Sequence, residues 1–127
     1  MKSPTFIFLF CVALASARAD LTALLSPSIQ NSAAGQSLVF SGSLANTGTA
    51  NVYLNNITYT APSGLTSGSN AFYANVPGIL TPGESYTGPI FGVVLSASAA
   101  PADYAGSVVF QGGANIFDMT NLNSLSF

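Results

Sequence analysis

Alternation with a period of two, rather than helical spacing, dominates the chain. Leu38, Phe40, Gly42 and Leu44 fall on one side of an extended backbone, with Ser37, Val39, Ser41 and Ser43 on the other. The pattern returns in Phe91, Val93 and Leu95 against Ile90, Gly92, Val94 and Ser96. It returns again in Tyr104, Gly106, Val108 and Phe110 against Ala105, Ser107, Val109 and Gln111. Successive side chains of a strand point to opposite faces, so such segments bury one face and wet the other. Apolar residues spaced i, i+3, i+4 occur only in short pieces interrupted by Gly, Pro or Asn. The chain therefore predicts an all-β fold, an antiparallel β-sandwich of about seven to eight short strands.

Turn residues punctuate these strands. Leu21–Leu25 is a predicted first strand, stopped by Ser26-Pro27, and Gly35-Gln36 is a turn. Asn46-Thr47-Gly48 is expected to be a corner between sheets, with Asn46 bonding the backbone two residues on and Gly48 taking a positive φ. Val52–Leu54 and Ile57–Thr60 flank Asn55-Asn56, where the alternation slips; the pair is either a two-residue turn or a bulge. Residues 61–70 are loop by composition, and 71–76 predict a strand ended by Pro77-Gly78. In the turn at 80–84, Pro82 presets φ and Gly83 supplies a positive one. Residues 97–103 connect the two most regular strands, with Pro101 breaking any ladder. Gly112-Gly113 closes the later one, residues 114–121 are irregular or a short helical turn, and 122–127 are the last strand. Turns every 8–12 residues are the spacing of an immunoglobulin-like sandwich. Tyr104, next to a Pro-containing connection, can turn its hydroxyl back onto upstream backbone as a tyrosine corner, or serve as an ordinary core residue.

The first 19 residues have the form of an export signal. Lys2 supplies a positive start, Phe6–Leu14 an apolar run, and Ala17-Arg18-Ala19 small residues at a cleavage site before Asp20, with cleavage after Ala17 as the alternative. The run is shorter than the roughly 20 residues that span a bilayer. Cys11 lies inside it without the small neighbours of a lipidation site. These features predict a signal-peptide helix over 1–19, a sandwich domain over 20–127, and a secreted product, extracellular or periplasmic, with no transmembrane anchor after cleavage.

Beyond Ala19 the chain has no Lys, Arg, His, Cys or Trp, and its charged side chains are Asp20, Glu84, Asp103 and Asp118. Nucleic-acid binding needs cations to neutralise phosphates, and none remain. Disulfides and Cys/His zinc sites are excluded in that segment. A serine nucleophile would have neither His nor Lys as its base.

The blocks "NTGTANVYLNNITYT", "ILTPGESYTGPIFGVVL", "APADYAGSVVFQGG" and "LNSLSF" occur in that order. Together they resemble the immunoglobulin-like domain of exported bacterial proteins of the PEP-CTERM class. The resemblance covers most of residues 20–127. Pro101-Ala102-Asp103-Tyr104 has Ala where the family has Gly, and the family's C-terminal sorting tail does not follow Phe127. A freely secreted short member, or a chain truncated near the end of its domain, is expected on that basis. The resemblance implies export and a surface or matrix role. It brings no catalytic residue and no cofactor.

Several residue groups are candidates for chemistry. Glu84 and Asp103 are the one carboxylate pair to consider for acid–base work, although both lie in turn contexts. Asn115, Asp118, Thr120 and Asn121 gather oxygens that suit calcium, or else Asp118 caps a turn. Tyr53, Tyr59, Phe72, Tyr73 and Tyr86 either form a saccharide platform or fill the core. Gly112-Gly113 lacks the residues that complete a phosphate loop, and Asn56-Ile57-Thr58 is the sole glycosylation sequon. The expected function is a secreted, non-enzymatic structural or interaction domain. The alternative is a carbohydrate- or calcium-dependent adhesion module. The expected partner is an extracellular polysaccharide or protein, with self-association through the terminal edge strand.

Overall fold

The computed structural model describes residues 19–127. The segment expected to be an export signal, including Lys2, Cys11 and Ala17, lies outside the described residues except for Ala19. Eight strands and one short helix follow: β1 (Leu21–Leu25), β2 (Ser37–Asn46), β3 (Val52–Thr60), β4 (Leu65–Gly68), α1 (Asn70–Asn75), β5 (Ile79–Leu80), β6 (Ser85–Leu95), β7 (Ser107–Gly113) and β8 (Thr120–Ser126). They form two four-stranded sheets, ordered β1-β2-β6-β4 and β5-β3-β7-β8. Every pairing is antiparallel. This is an all-β, two-sheet architecture, as the alternation predicts.

The core lies between the sheets and follows the pattern in β2 and β7; in β6 Ile90, expected on the opposite face, is buried beside Phe91, because the register shift against β2 leaves it as the extra residue. Phe40 and Leu44 of β2, Phe91 and Val93 of β6, and Val108 and Phe110 of β7 are buried. Each such side chain contributes roughly 1.5–3 kcal/mol by leaving water. Phe40 and Phe91 face each other across the ladder and stack with centroids 5.0 Å apart. Phe127 tilts against both, at 5.2 and 5.1 Å.

One open choice is resolved and three local expectations change. Asn55-Asn56 does not turn the chain: β3 runs through, with its register against β7 shifting between Leu54 and Asn56. The bulge absorbs the slip in alternation. Residues 61–70 contain β4, whose polar composition hides a strand; the open ladder of β6 recruits it. The stretch at 71–76 is helical rather than extended. A single turn buries Phe72 and leaves Tyr73, Ala74 and Asn75 exposed, with Tyr73 and Val76 amides bonding the Ser69 and Phe72 carbonyls. β6 begins at Ser85 and passes through Pro89, because the missing N–H falls where the β2 ladder is already broken between Phe40 and Ser41.

Antiparallel pairing gives the sandwich two distinct ends. Leu21 pairs with Asn46, and Gly112 with Thr120. One end therefore gathers Asp20 and the connections at 47–51, 81–84 and 114–119. Ser37 pairs with Val94, and Ser107 with Ser126, so the opposite end gathers the connections at 26–36, 61–64 and 96–106 together with Phe127. Along one flank β1 and β8, edges of different sheets, lie side by side, and the Asn123 side-chain amide donates to the Leu21 carbonyl at 2.8 Å.

Candidate functional site

At the first end, Asn46 carries β2 over to β3. It is 1% exposed. Its Oδ1 accepts from the Gly48 amide at 2.9 Å, and its Nδ2 donates to the carbonyls of Ala50 and Leu80, each at 2.8 Å. Gly48 does not take a positive φ; the Asn46 side chain closes the corner without a left-handed residue. Nearby, Pro82 and Gly83 (φ 80°) form the expected tight turn, with the Glu84 amide bonding the Thr81 carbonyl. The Glu84 carboxylate accepts from the Thr81 amide and hydroxyl at 2.9 and 3.0 Å. Those bonds, the backbone one foremost, hold its pKa below the usual carboxylate range.

The 114–119 connection stands beside this corner, and its backbone is tied down from inside. Asp118 Oδ2 accepts from the Ala114 and Asn115 amides at 2.7 and 3.1 Å, and Oδ1 from the Asn115 side-chain amide at 3.0 Å. Asn115 Oδ1 accepts from the Phe117 amide at 2.9 Å. From β3, the bulge turns Asn55 toward the loop, where its Nδ2 donates to the Asn115 and Asp118 carbonyls at 3.0 and 2.8 Å. Gly112 makes the base of the loop: a Cβ there would fall onto the Tyr53 carbonyl, so only Gly lets β7 approach β3 so closely. Gly113 lies against the Asp118 side chain.

The tip of this braced loop is apolar. Ile116 is 65%, Phe117 88% and Met119 57% exposed. The sequence marks 114–121 as irregular but does not single these three out, and Asn55 passes as a strand or turn residue. Their signal is three large apolar side chains inside a stretch otherwise fit for a turn. The oxygens considered for calcium do not converge. Asp118 caps the loop, Thr120 Oγ1 donates to the Gly112 carbonyl, and Asn121 Oδ1 accepts from Gln111 across the β7–β8 ladder. Among the described residues, no group of three His, Cys, Asp or Glu gathers.

The opposite end holds a pocket of about 460 Å³. Leu38, Phe40, Val93 and Phe127 form its apolar floor, and Gln30 and Asp103 lie among its polar lining. Gly106 and Phe127 exchange two backbone bonds of 3.0 Å beside it. The Tyr104 hydroxyl donates to the Ala100 carbonyl, four residues upstream, at 2.6 Å; Tyr104 itself precedes β7 rather than starting it. Asp103 is at this end and Glu84 at the other, so no cleft holds both carboxylates.

Of the five aromatics considered for a saccharide platform, only Tyr73 is exposed. Tyr59 packs on Phe91 at 5.8 Å and donates to the Gly68 carbonyl at 3.0 Å. Burial, then the nearby Tyr73, pushes its phenol up to about 12. Asn56 of the sequon bonds Gln111 and the Tyr73 hydroxyl. Among the described residues, no helix is long and apolar enough to cross a membrane. No protein-family model, curated protein or solved structure matches the chain.

Proposed function

We propose that this chain is an exported immunoglobulin-like domain that acts outside the cell by binding rather than by catalysis. Strand order supports the immunoglobulin-like reading. With β1, β2, β6 and β4 matched to strands A, B, E and D, and β3, β7 and β8 to C, F and G, both sheets and the chain order agree with that fold. β5 is an addition beside β3. Tyr104 lies at the corner between E and F with its hydroxyl on upstream backbone, where such domains carry a tyrosine corner. Export rests on the N-terminal pattern, and the surface or matrix role on the resemblance to the PEP-CTERM class. The separation of Glu84 from Asp103 speaks for a non-enzymatic role.

The observation that carries the binding reading is the 114–119 loop. A tip with Ile116, Phe117 and Met119 in water is costly for a chain that acts alone, and a backbone braced by Asp118 and Asn55 holds the tip ready. It occupies the F–G position, the end that antibody variable domains use, which is an analogy of fold. The test is retention on the surface of the exporting cells. The wild-type chain should stay cell-associated and the Ile116→Ser, Phe117→Ser, Met119→Ser triple variant should be released. Equal retention would remove the loop as the interaction surface.

A further inference from the structure

We infer that the partner of the 114–119 loop is a second copy of this chain, bound head to tail, with the loop of one copy entering the apolar pocket at the far end of the next. The inference rests on the binding reading of that loop and names its occupant. Loop and pocket lie at opposite ends of the sandwich, so one copy engages two neighbours at once. Such a contact joins two different surfaces and does not close on itself, so it generates linear chains.

The two surfaces match in chemistry and size. Phe117 can meet the half-exposed Phe127 ring and the Leu38 and Leu65 side chains of the lining. Met119 is flexible enough to fill an irregular remainder. A pocket of about 460 Å³ has room for more than one side chain. Charge points the same way. The loop's carboxylate, Asp118, is turned onto its own backbone, so the large side chains that project from the tip, Ile116, Phe117 and Met119, are all apolar. Residues 19–127 contain no Lys, Arg or His. The pocket thus has no cation for an anionic ligand, and the loop none for an anionic lipid surface. Area sets the strength. A Phe side chain offers about 150–250 Å², and three loop side chains fall short of the roughly 800 Å² per partner of a standard stable interface. The association is therefore weak and concentration-dependent.

Sedimentation velocity of residues 20–127, the form that cleavage before Asp20 leaves, across a concentration series reads this directly. Wild type should grow from monomer into a ladder of species without a defined end point. Phe117→Ser, at an exposed site, should raise the concentration of half-association about thirtyfold. Ala102→Trp, from an exposed residue at the pocket lining, should block the pocket and leave the loop intact; circular dichroism confirms that both variants fold. The deciding sample is their mixture. Phe117→Ser keeps a pocket and Ala102→Trp keeps a loop, so together they should form a one-to-one heterodimer that grows no further. Folded variants that stay monomeric when mixed, or a wild type monomeric throughout, would overturn the proposal. So would Phe117-dependent flotation of a monomeric wild type with phosphatidylcholine vesicles, which would assign the loop to lipid. If loop-dependent retention on cells persists while self-association fails, the partner assignment falls and the binding reading stands.

Discussion

At Asn46 one side-chain amide joins three segments: its own strand end, the 47–51 connection and the end of β5. The bond to Gly48 is local, so the sequence indicates it. The bond to Leu80 spans 34 positions, and nothing in the neighbourhood of Asn46 announces it. Asn46→Ala would leave the buried Leu80 carbonyl, and the half-buried Ala50 carbonyl and Gly48 amide, without their partner. At about 1–3 kcal/mol for a buried group so orphaned, with partial relaxation, urea unfolding should register a loss of about 3 kcal/mol. A loss below about 1 kcal/mol would mean water takes over the bonds. Tyr59 gives the pH dependence. Below pH 10 its phenol is neutral in both states. Between 10 and about 12 the unfolded chain ionises while the folded one resists, so stability falls across that window. Tyr86, also raised by burial, acts in the same direction. The urea midpoint of Tyr59→Phe should decline less steeply over this range than that of wild type.

Elements were legible where a strand owes its state to its own alternation, and illegible where it owes it to a neighbour. β2, the later part of β6, and β7 each show a buried face that the sequence displays. β4 does not: Leu65-Thr66-Ser67-Gly68 is a strand because β6 has unpaired backbone groups to offer. α1 misled for a related reason, since Phe72 reaches Phe110, with centroids 6.2 Å apart, equally well by position from a strand or a helical turn. The bulge in β3 is the element with the widest effect. It corrects the phase of the strand and sends Asn55 to the 114–119 loop. Asn55→Ala should therefore leave the sheets intact and loosen that loop. Amide hydrogen exchange at residues 114–118 should accelerate about tenfold or more, with the amides of Phe40 and Phe110 unchanged. Uniform acceleration through the core would show instead that Asn55 supports the whole fold.

For the molecule as a whole, the terminal edge expected to self-associate is polar along its exposed side chains. β8 presents Thr120, Asn121, Ser124 and Ser126 outward, is 7 residues long, and is tied to β1 through Asn123. A polar edge braced against the other sheet is a poor template for strand addition. The ends of the sandwich differ far more from one another than its edges do: one carries a braced apolar tip and the other an apolar hollow. The hollow was not visible in the sequence, because it is assembled from residues far apart in the chain; the tip is local, and what the sequence hid is its bracing by Asn55, 60 or more positions away. The side-by-side placement of β1 and β8 also has a mechanical meaning. β1 starts at one end of the sandwich and β8 finishes at the other, so tension applied across Asp20 and Phe127 runs along the strands. It loads the rungs of the β1–β2 and β7–β8 ladders together, in shear, rather than peeling them one after another. Single-molecule pulling between these points should give one high-force rupture governed by the unfolding rate. Pulling between Asp20 and the 47–51 connection, which lie at the same end of the β1–β2 pair, should open β1 rung by rung at much lower force. Copies joined end to end would then pass a load through the length of each sandwich, as links in a tether.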